Sequence, residues 1–214
     1  METIVDLFNE QVKKRDDMRY NEKHNLDYHK EINKFIPKQL QKDCLKFCLL
    51  KKNDKIPIEE KWQTIVNYSY FNTELIEWIK NGNNYGVIGG FGNLIIVDFD
   101  EENIENEIVP QLPQTFTVKT GRGRLHKYFY CDVPNSFKIS TKNNETLVDI
   151  QGRGKQVVGP SSIHPNGNKY TVADDSEIAI IDTNLLHFVF SKYLNKENVF
   201  TKKYNTDHNA KEIK

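Results

Sequence analysis

The stretch LIIVDFD, residues 94–100, is the feature that most limits how this chain folds. Its first four residues are apolar and three of them are β-branched, which favours a strand covered on both faces. We therefore predict a central sheet strand from Asn93 to Phe99. Asp98 and Asp100 are two positions apart at its end, so their side chains share one face with Cα atoms about 7 Å apart.

This acidic pair has two interpretations. Two like charges beside a buried strand are costly unless a cation compensates them, so the pair is suited to bind one or two divalent cations. Alternatively, the strand has ended and both aspartates, followed by Glu101 and Glu102, are solvated turn residues.

A third aspartate bears on that choice. Asp149, in LVDI, lies within another apolar strand just before QGRGK, where a single Asp could also be a turn or cap residue. Together with DFD it completes a cluster of three carboxylates. Oxygen ligands of this kind select Mg²⁺ or Mn²⁺ over zinc.

Between the acidic strands lies the basic stretch KTGRGRLHKYFYC. The chain as a whole is neutral, with 30 basic and 30 acidic residues, so any polyanion site must be a local patch. Lys119, Arg122, Arg124 and Lys127 form such a patch, although basic surface turns are common. His126 starts the next strand, and its position between the carboxylate strands favours a functional role over a structural one.

The stretch VDIQGRGKQVVGPSSIHPNGNKY is also punctuated by glycines, which let backbone N–H groups approach an anion. We predict phosphate or nucleotide contact for its polar residues, which are Arg153, Lys155, Ser161, Ser162 and His164. The alternative is a surface loop in which SIHPNGNKY forms a hairpin with an Asn-Gly turn.

Strand and helix patterns alternate along the rest of the chain. CLKFCLL, TFTVKT, LHKYFYC, TLVDIQG and KQVVGP predict strands, and YGVI is predicted to form a hairpin with LIIVDFD. TELIEWIK and residues 184–194 predict helices. We expect a polar helical extension over residues 1–35, one domain over 36–195 and a polar tail over 196–214.

Composition excludes several classes of protein. The 37% hydrophobic content includes 12 Phe and 10 Tyr, enough for a packed core. No apolar run reaches the roughly 18 residues of a membrane span, and the charged N-terminus lacks a signal-peptide pattern, so we expect a cytoplasmic (intracellular) protein without a membrane partner. Cys44, Cys48 and Cys131 form no CxxC pair and are expected to be buried or incidental thiols.

The order of these motifs resembles the archaeo-eukaryotic primase superfamily, and closely the bifunctional DNA primase/polymerase domains of plasmids, viruses and phages. In that family an acidic pair at a strand end precedes a small-x-His element and then a hydrophobic-Asp strand. Here these are DFD at 98–100, RLH at 124–126 and VDI at 148–150. KIPIEEKW is similar to the family's Lys-x-Pro and Trp segment, and the resemblance covers residues 45–172. Arg124 stands where many members have a small residue.

The resemblance implies an α/β (α+β) fold in which an RRM-like catalytic sheet adjoins a small αβ module. It implies a nucleotidyltransferase in which Asp98, Asp100 and Asp149 hold two Mg²⁺ or Mn²⁺ ions that act on a primer 3′-hydroxyl and on pyrophosphate. His126 would bind the phosphates of the incoming dNTP or NTP, with four cations nearby: Arg122, Arg124, Arg153 and Lys155. A single-stranded or primed DNA template would lie in a basic groove. Replication of a mobile element or virus is the implied setting, with a helicase domain or subunit as a further partner.

Two other classes are alternatives. A replication-initiator nuclease also places metal ligands on an RRM-like sheet, but it would need a His-hydrophobe-His pair and a catalytic Tyr, and the sequence has no such His pair. A non-catalytic module that binds single-stranded DNA would keep the sheet with broken acidic motifs, whereas all three aspartates are present.

Overall fold

The computed structural model describes residues 31–63, 67–140 and 145–194, and these contain ten strands and three α-helices. The strands are β1 Lys46–Leu50, β2 Asn84–Ile88, β3 Leu94–Phe99, β4 Thr117–Lys119, β5 Leu125–Cys131, β6 Phe137–Ser140, β7 Thr146–Gln151, β8 Gln156–Val158, β9 Thr171–Asp174 and β10 Ala179–Ile181. The helices are α1 Thr73–Lys80, α2 Glu102–Ile108 and α3 Thr183–Phe190. Residues 1–30 of the predicted extension and the tail at 196–214 lie outside the described residues.

The strands form two sheets. The small sheet has the order β1-β2-β8 and is antiparallel throughout. The large sheet has the order β6-β7-β3-β5-β4-β9, and β10 joins the second half of β5 as a parallel strand. This arrangement, a large sheet beside a smaller αβ module that includes α1, confirms the predicted mixed α+β fold.

β3 lies between two hydrophobic cores, which explains its unbroken apolar sequence. Leu94 and Ile96 pack in the core shared with the small sheet and α1, whereas Ile95 and Val97 pack in the core shared with α2 and α3. By the same alternation, Asp98 projects toward the small-sheet side. The predicted central position is confirmed, because β3 pairs with β5 on one side and β7 on the other.

The predicted hairpin between YGVI and LIIVDFD is wrong, because β2 and β3 belong to different sheets. The glycines between them carry the chain from the small sheet to the large one. At this point the chain touches Gln151 and Gly152, where the later segment returns from β7 of the large sheet to β8 of the small sheet. A Cβ on Gly89 would lie 2.4 Å from the carbonyl oxygen of Gln151, and Gly90 has a φ of 87°. Because they have no side chains, these glycines allow the two connecting segments between the sheets to pack against each other, and they do not form a turn between paired strands.

The other predicted elements are present. The five strand motifs correspond to β1, β4, β5, β7 and β8, TELIEWIK is α1, and the helix expected at 184–194 is α3. Asn72 caps α1 by accepting hydrogen bonds from the N–H groups of Glu74 and Leu75. Cys44, Cys48 and Cys131 are free thiols, and burial is the main cause that raises the pKa of Cys48 to about 12.

Two features are additional to the sequence-based expectations. Helix α2 begins at Glu102, directly after the acidic pair, where one interpretation has a solvated turn. Ile32 is fully buried and Phe35 packs against the same cluster, so residues 31–35 of the expected extension contribute to the core shared with the small sheet and α1. Among the described helices, none is long and apolar enough to cross a membrane.

Candidate active site

Four side chains form a row across neighbouring strands of the large sheet. Lys138 pairs with Asp149, Asp149 pairs with Asp98, and Asp98 pairs with His126. Directly paired residues share a face, so all four project toward the small-sheet side. The Lys138 Nζ lies 3.5 Å from the Asp149 Oδ2, and the His126 Nε2 lies 3.2 Å from the Asp98 Oδ1. The three sequence motifs therefore meet on one line.

Asp100 extends this acidic group past the end of β3. Its backbone N–H donates to the Leu147 carbonyl, which keeps it beside β7, and its side chain is exposed. The surrounding protein still removes part of the hydration of the Asp100 carboxylate, and this desolvation, followed by the charges of Asp98 and Asp149, raises the pKa of Asp100. Burial is also the largest cause of the raised pKa of Asp149, where Lys138 acts in the opposite direction. The three carboxylates are thus close enough to repel one another.

Asp98 behaves differently because it has compensating partners. Burial acts to raise its pKa, but the charge and hydrogen bond of His126, together with Lys55 and Gln151, outweigh burial and lower the pKa of Asp98. Asp98 is therefore held as a carboxylate at the centre of the row.

The acidic group is a candidate site for the divalent cations that the motifs imply. In residues 31–63, 67–140 and 145–194, no group of three or more His, Cys, Asp or Glu side chains is already arranged to hold a metal ion. The donor chemistry nevertheless fits, because three carboxylates supply the oxygen ligands that Mg²⁺ and Mn²⁺ prefer. A cation would also relieve the repulsion that raises the pKa of Asp100.

Tyr170 lies between two histidine rings on the same face. Its ring centroid is 5.9 Å from that of His126 and 5.9 Å from that of His164. The His126 Nδ1 and the His164 Nε2 are buried, and neither has a hydrogen-bond partner among the described residues. In native structures such atoms generally face a water or a ligand. Two of the predicted nucleotide-binding residues are therefore neighbours.

The protonation of His164 follows from its surroundings. Its Nδ1 accepts a hydrogen bond from the backbone N–H of Asn166 at 3.1 Å, so a neutral ring carries its proton on Nε2. Burial lowers the pKa of His164, and the positive charges of Lys55 and Arg122 act in the same direction. His164 is thus a neutral hydrogen-bond donor beside two cations.

Three loops converge on this face. The Lys55 loop comprises residues 51–57, the glycine loop residues 120–124 and the His164 hairpin residues 161–170. The hairpin that was the alternative interpretation of SIHPNGNKY is present, since the Gly167 N–H donates to the His164 carbonyl at 2.8 Å and Ile163 pairs with Lys169. The Gly121 carbonyl accepts from the side-chain amides of Asn166 and Asn168 at 2.9 and 2.8 Å, which joins the glycine loop to the hairpin.

Of the predicted phosphate-binding cations, Arg122 lies near His164 and Tyr170, and Lys155 lies near Asp149. The charge of Arg122 acts on His164 and Tyr170, and that of Lys155 acts on Asp149. Both side chains are exposed.

Two predicted arginines are directed elsewhere. Arg124 pairs with Glu102 at 3.1 Å and with Glu105 at 3.9 Å, both on α2. Arg153 packs against Gly90 where the chain crosses between the sheets.

The predicted serines differ in their settings. The Ser162 Oγ is buried and accepts from the Tyr85 N–H at 3.4 Å, so it supports β2. Ser161 is half-buried at a φ of 70°.

The prediction that Lys127 belongs to the basic patch is wrong. It follows His126 in the strand and therefore faces the other side of the sheet. Its Nζ donates to the Thr117 Oγ1 at 3.3 Å.

Three residues of the site were not predicted from the sequence: Lys55, Lys138 and Tyr170. Lys55 belongs to KIPIEEKW, so the Lys-x-Pro resemblance was a usable signal for it. Lys138 becomes relevant only through its register with Asp149, which no local pattern encodes.

A comparison with curated proteins finds no match. Among solved structures, the chain is similar to the AEP domain of the cyanophage S-2L primase-polymerase (PrimPol), with 12% identity and a TM-score of 0.37 over 71% of this chain and 92% of that one. The family model described as bifunctional DNA primase/polymerase, N-terminal, matches residues 39–183, which include DFD, RLH and VDI. Because this match covers more than half of the sequence, the chain belongs to the bifunctional DNA primase/polymerase (Prim-Pol) family.

Proposed function

We propose that this domain catalyses template-directed nucleotidyl transfer to DNA, with Asp98, Asp100 and Asp149 as its metal-binding carboxylates. The family is one of DNA primases/polymerases, which supports the reaction class. The observation that carries the assignment of residues is the direct pairing of Asp98 with both Asp149 and His126.

The carboxylates are held by rigid elements. Asp98 and Asp149 project from paired strands of one sheet, and Asp100 follows where the strand ends. When bound, two Mg²⁺ or Mn²⁺ ions supply the positive charge that activates a primer 3′-hydroxyl and stabilises the departing pyrophosphate. Strand-borne ligands keep a site well ordered, because sheet pairing fixes their backbone.

The triphosphate binds beside the carboxylates, at the two histidines and the cations near them. The His164 Nε2–H donates to a phosphate oxygen, and Lys55 and Arg122 bring positive charge to the same place. The His126 Nε2 is engaged with Asp98, which leaves its Nδ1 for the nucleotide. Lys155 adds charge on the Asp149 side.

The contacts of the remaining predicted residues give them less support as nucleotide ligands. Arg124 is paired with α2, Arg153 packs at the sheet crossing, and Ser162 bonds to the backbone of β2. Ser161 stays a candidate through its place in the His164 hairpin.

We also propose the substrates and the biological role of the domain. We expect dNTPs or NTPs as substrates and a single-stranded or primed DNA template in a basic groove. Intracellular replication of a mobile element or virus, with a helicase domain or subunit as partner, is the role we assign to the domain.

Primer extension tests the proposed reaction. The purified chain is incubated with Mn²⁺, a primed template and labelled dNTPs, and we expect extension products. Cleavage of the DNA would instead indicate a nuclease, and a mobility shift alone would indicate a binding module. Unprimed single-stranded DNA in the same assay shows whether the domain also starts chains.

Two variants test the carboxylates. Asp98→Asn and Asp149→Asn keep the side-chain shape but remove the charge, so incorporation should fall by roughly 100-fold or more. Glu107→Gln is the matched control, because Glu107 is also paired with a lysine, Lys192 at 3.0 Å, but lies on α2. Undiminished extension by either aspartate variant would overturn the assignment.

A further inference from the structure

The side chain of Asn84, at the start of β2, is 1% exposed and joins two loops of the site. Its Nδ2 donates to the Asp54 carbonyl at 2.9 Å and to the Ile163 carbonyl at 2.6 Å. Its Oδ1 accepts from the Ile163 N–H at 2.9 Å. One buried amide therefore holds the backbone of the Lys55 loop and that of the His164 hairpin.

The two residues that Asn84 holds directly precede Lys55 and His164. Both side chains belong to the candidate site, since the charge of Lys55 acts on Asp98 and Asp100, and the His164 ring packs on Tyr170, which also packs on His126. The separation of the two loops sets the distance between their charged and donor groups.

The place of Asn84 in the small sheet shows why a side chain performs this role. β8 pairs with β2 from Gly86 onward, so Asn84 lies beyond the end of that pairing. On its other side Asn84 pairs with Leu50, the last residue before the Lys55 loop. Where strand pairing stops, the amide of Asn84 replaces it and bonds both backbone groups of Ile163.

A second amide supports the same loop. The Gln156 Nε2, at the start of β8, donates to the Lys55 carbonyl at 3.1 Å. The Lys55 loop is thus fixed to the small sheet from two strands, and the Asn84 amide bonds both this loop and the His164 hairpin.

We infer that Asn84 is a positioning residue that sets the separation of Lys55 and His164 for binding of the nucleoside triphosphate. The inference rests on the proposed function, in which those two side chains contact the phosphates. Fixed donors bind an anion more tightly than mobile ones, because the cost of ordering them is removed before binding.

Two variants of Asn84 test the role in the primer-extension assay. Asn84→Ala removes all three hydrogen bonds, and Asn84→Asp keeps the acceptor but loses both donors. We expect the KM for dATP to rise roughly tenfold, which corresponds to the loss of about one to two hydrogen bonds from the displaced Lys55 and His164 to the phosphates. The kcat at saturating dATP should stay within about threefold of wild type, since Asp98, Asp100 and Asp149 are unchanged.

Gln39→Ala is the matched control. Gln39 is also a buried amide, and its Nε2 donates at 2.7 Å to the carbonyl of Asp175, a residue outside both loops. It should lower Tm much as the Asn84 variants do and leave the KM within about twofold of wild type. An equal rise in KM in both proteins would show that the effect is one of general stability and would overturn the inference.

A double-mutant comparison tests whether Asn84 acts through the two side chains. In a chain that carries Lys55→Ala and His164→Ala, adding Asn84→Ala should raise the KM by less than about twofold, because nothing is left to position. A full tenfold effect in that background would mean that Asn84 acts by another route.

Amide hydrogen exchange separates failure of this inference from failure of the proposed function. In Asn84→Ala, residues 51–57 and 161–170 should both exchange faster, while α2 is unchanged; loosening of one loop alone would overturn the coupling. This readout needs no catalysis, whereas absence of extension by the wild-type chain would count against the proposed function only. If neither variant folds, the same measurement is made on wild type. Increasing concentrations of dATP with Mn²⁺ should then slow amide exchange in both loops over one concentration range. Slower exchange in one loop alone would refute the inference.

Discussion

Asp98 and Asp149 lie directly opposite each other on the antiparallel strands β3 and β7. Like charges in such a pair destabilise a sheet. His126 and Lys138 offset them from the two outer sides of the row, at 3.2 and 3.5 Å. Negative charge is still in excess, because Asp100 adds a third carboxylate whose pKa is raised by burial and by the other two.

Binding of a divalent cation should therefore stabilise the fold. At a Mn²⁺ concentration near 100 times its Kd, the free energy of unfolding should increase by about 2.7 kcal/mol, which raises Tm by roughly 5–10 °C for a chain of this size. Differential scanning fluorimetry measures the shift. Asp149→Asn should show a smaller one and Glu107→Gln the full one; equal shifts in wild type and Asp149→Asn would contradict a cation site at the row.

Lys55 should contribute to nucleotide affinity through its charge. Lys55→Ala should raise the KM for dATP about three- to tenfold at low salt, and the effect should shrink as ionic strength rises, because the side chain is exposed and screened. Lys52→Ala is the control in the same loop, since the Lys52 Nζ is directed toward Gly82. A similar KM in both variants would remove Lys55 from the triphosphate site.

Arg124 should matter for stability more than for nucleotide affinity. It pairs with Glu102 and Glu105 of α2, and its side chain is 21% exposed. Arg124→Ala should lower the free energy of unfolding by about 1 kcal/mol and Tm by roughly 2–4 °C, with the KM for dATP within about twofold of wild type. The cost should be smaller in a Glu105→Gln background. A large rise in KM at unchanged Tm would instead support the nucleotide contact expected from the sequence.

The strands and the acidic motifs could be predicted because they rest on local patterns, whereas the fold class was predicted from the family resemblance. An unbroken apolar run identifies β3 as a buried strand, and the Asn-Gly turn identifies the His164 hairpin. Alternation also places His126 and Lys127 on opposite faces, so the sequence alone contained the reason why Lys127 cannot share a phosphate-binding patch with His126.

Long-range register could not be predicted in the same way. The pairing of Lys138 with Asp149, and the bonds of Asn84 to Asp54 and Ile163, depend on which strand ends where in the folded sheet. The hairpin error has the same origin, because a Gly-rich segment permits either a tight turn or a crossing between sheets. The choice is made by the partners of the flanking strands.

The buried Lys127 should make the stability of the fold depend on pH. Its side chain is buried on the face of the large sheet opposite to His126, with Thr117 as its hydrogen-bond acceptor. Burial lowers the pKa of Lys127, and the charge of Asp174 on β9 opposes this effect. The folded chain therefore releases this proton at a lower pH than the unfolded chain. Between the two pKa values the unfolded chain binds more protons, so this lysine's contribution to stability becomes more favourable as pH rises.

Lys127→Met replaces the ammonium with an apolar group of similar length. At pH 7, where the folded protein must bury the charge, the substitution should raise the free energy of unfolding by roughly 1–2 kcal/mol. Near pH 10 the gain should shrink, because wild type has by then lost part of that charge in the folded state. Urea denaturation at both pH values measures the difference, with the exposed Lys119→Met as control. A gain that is absent at pH 7, or that grows toward pH 10, would show that the ammonium is well accommodated between Thr117 and Asp174.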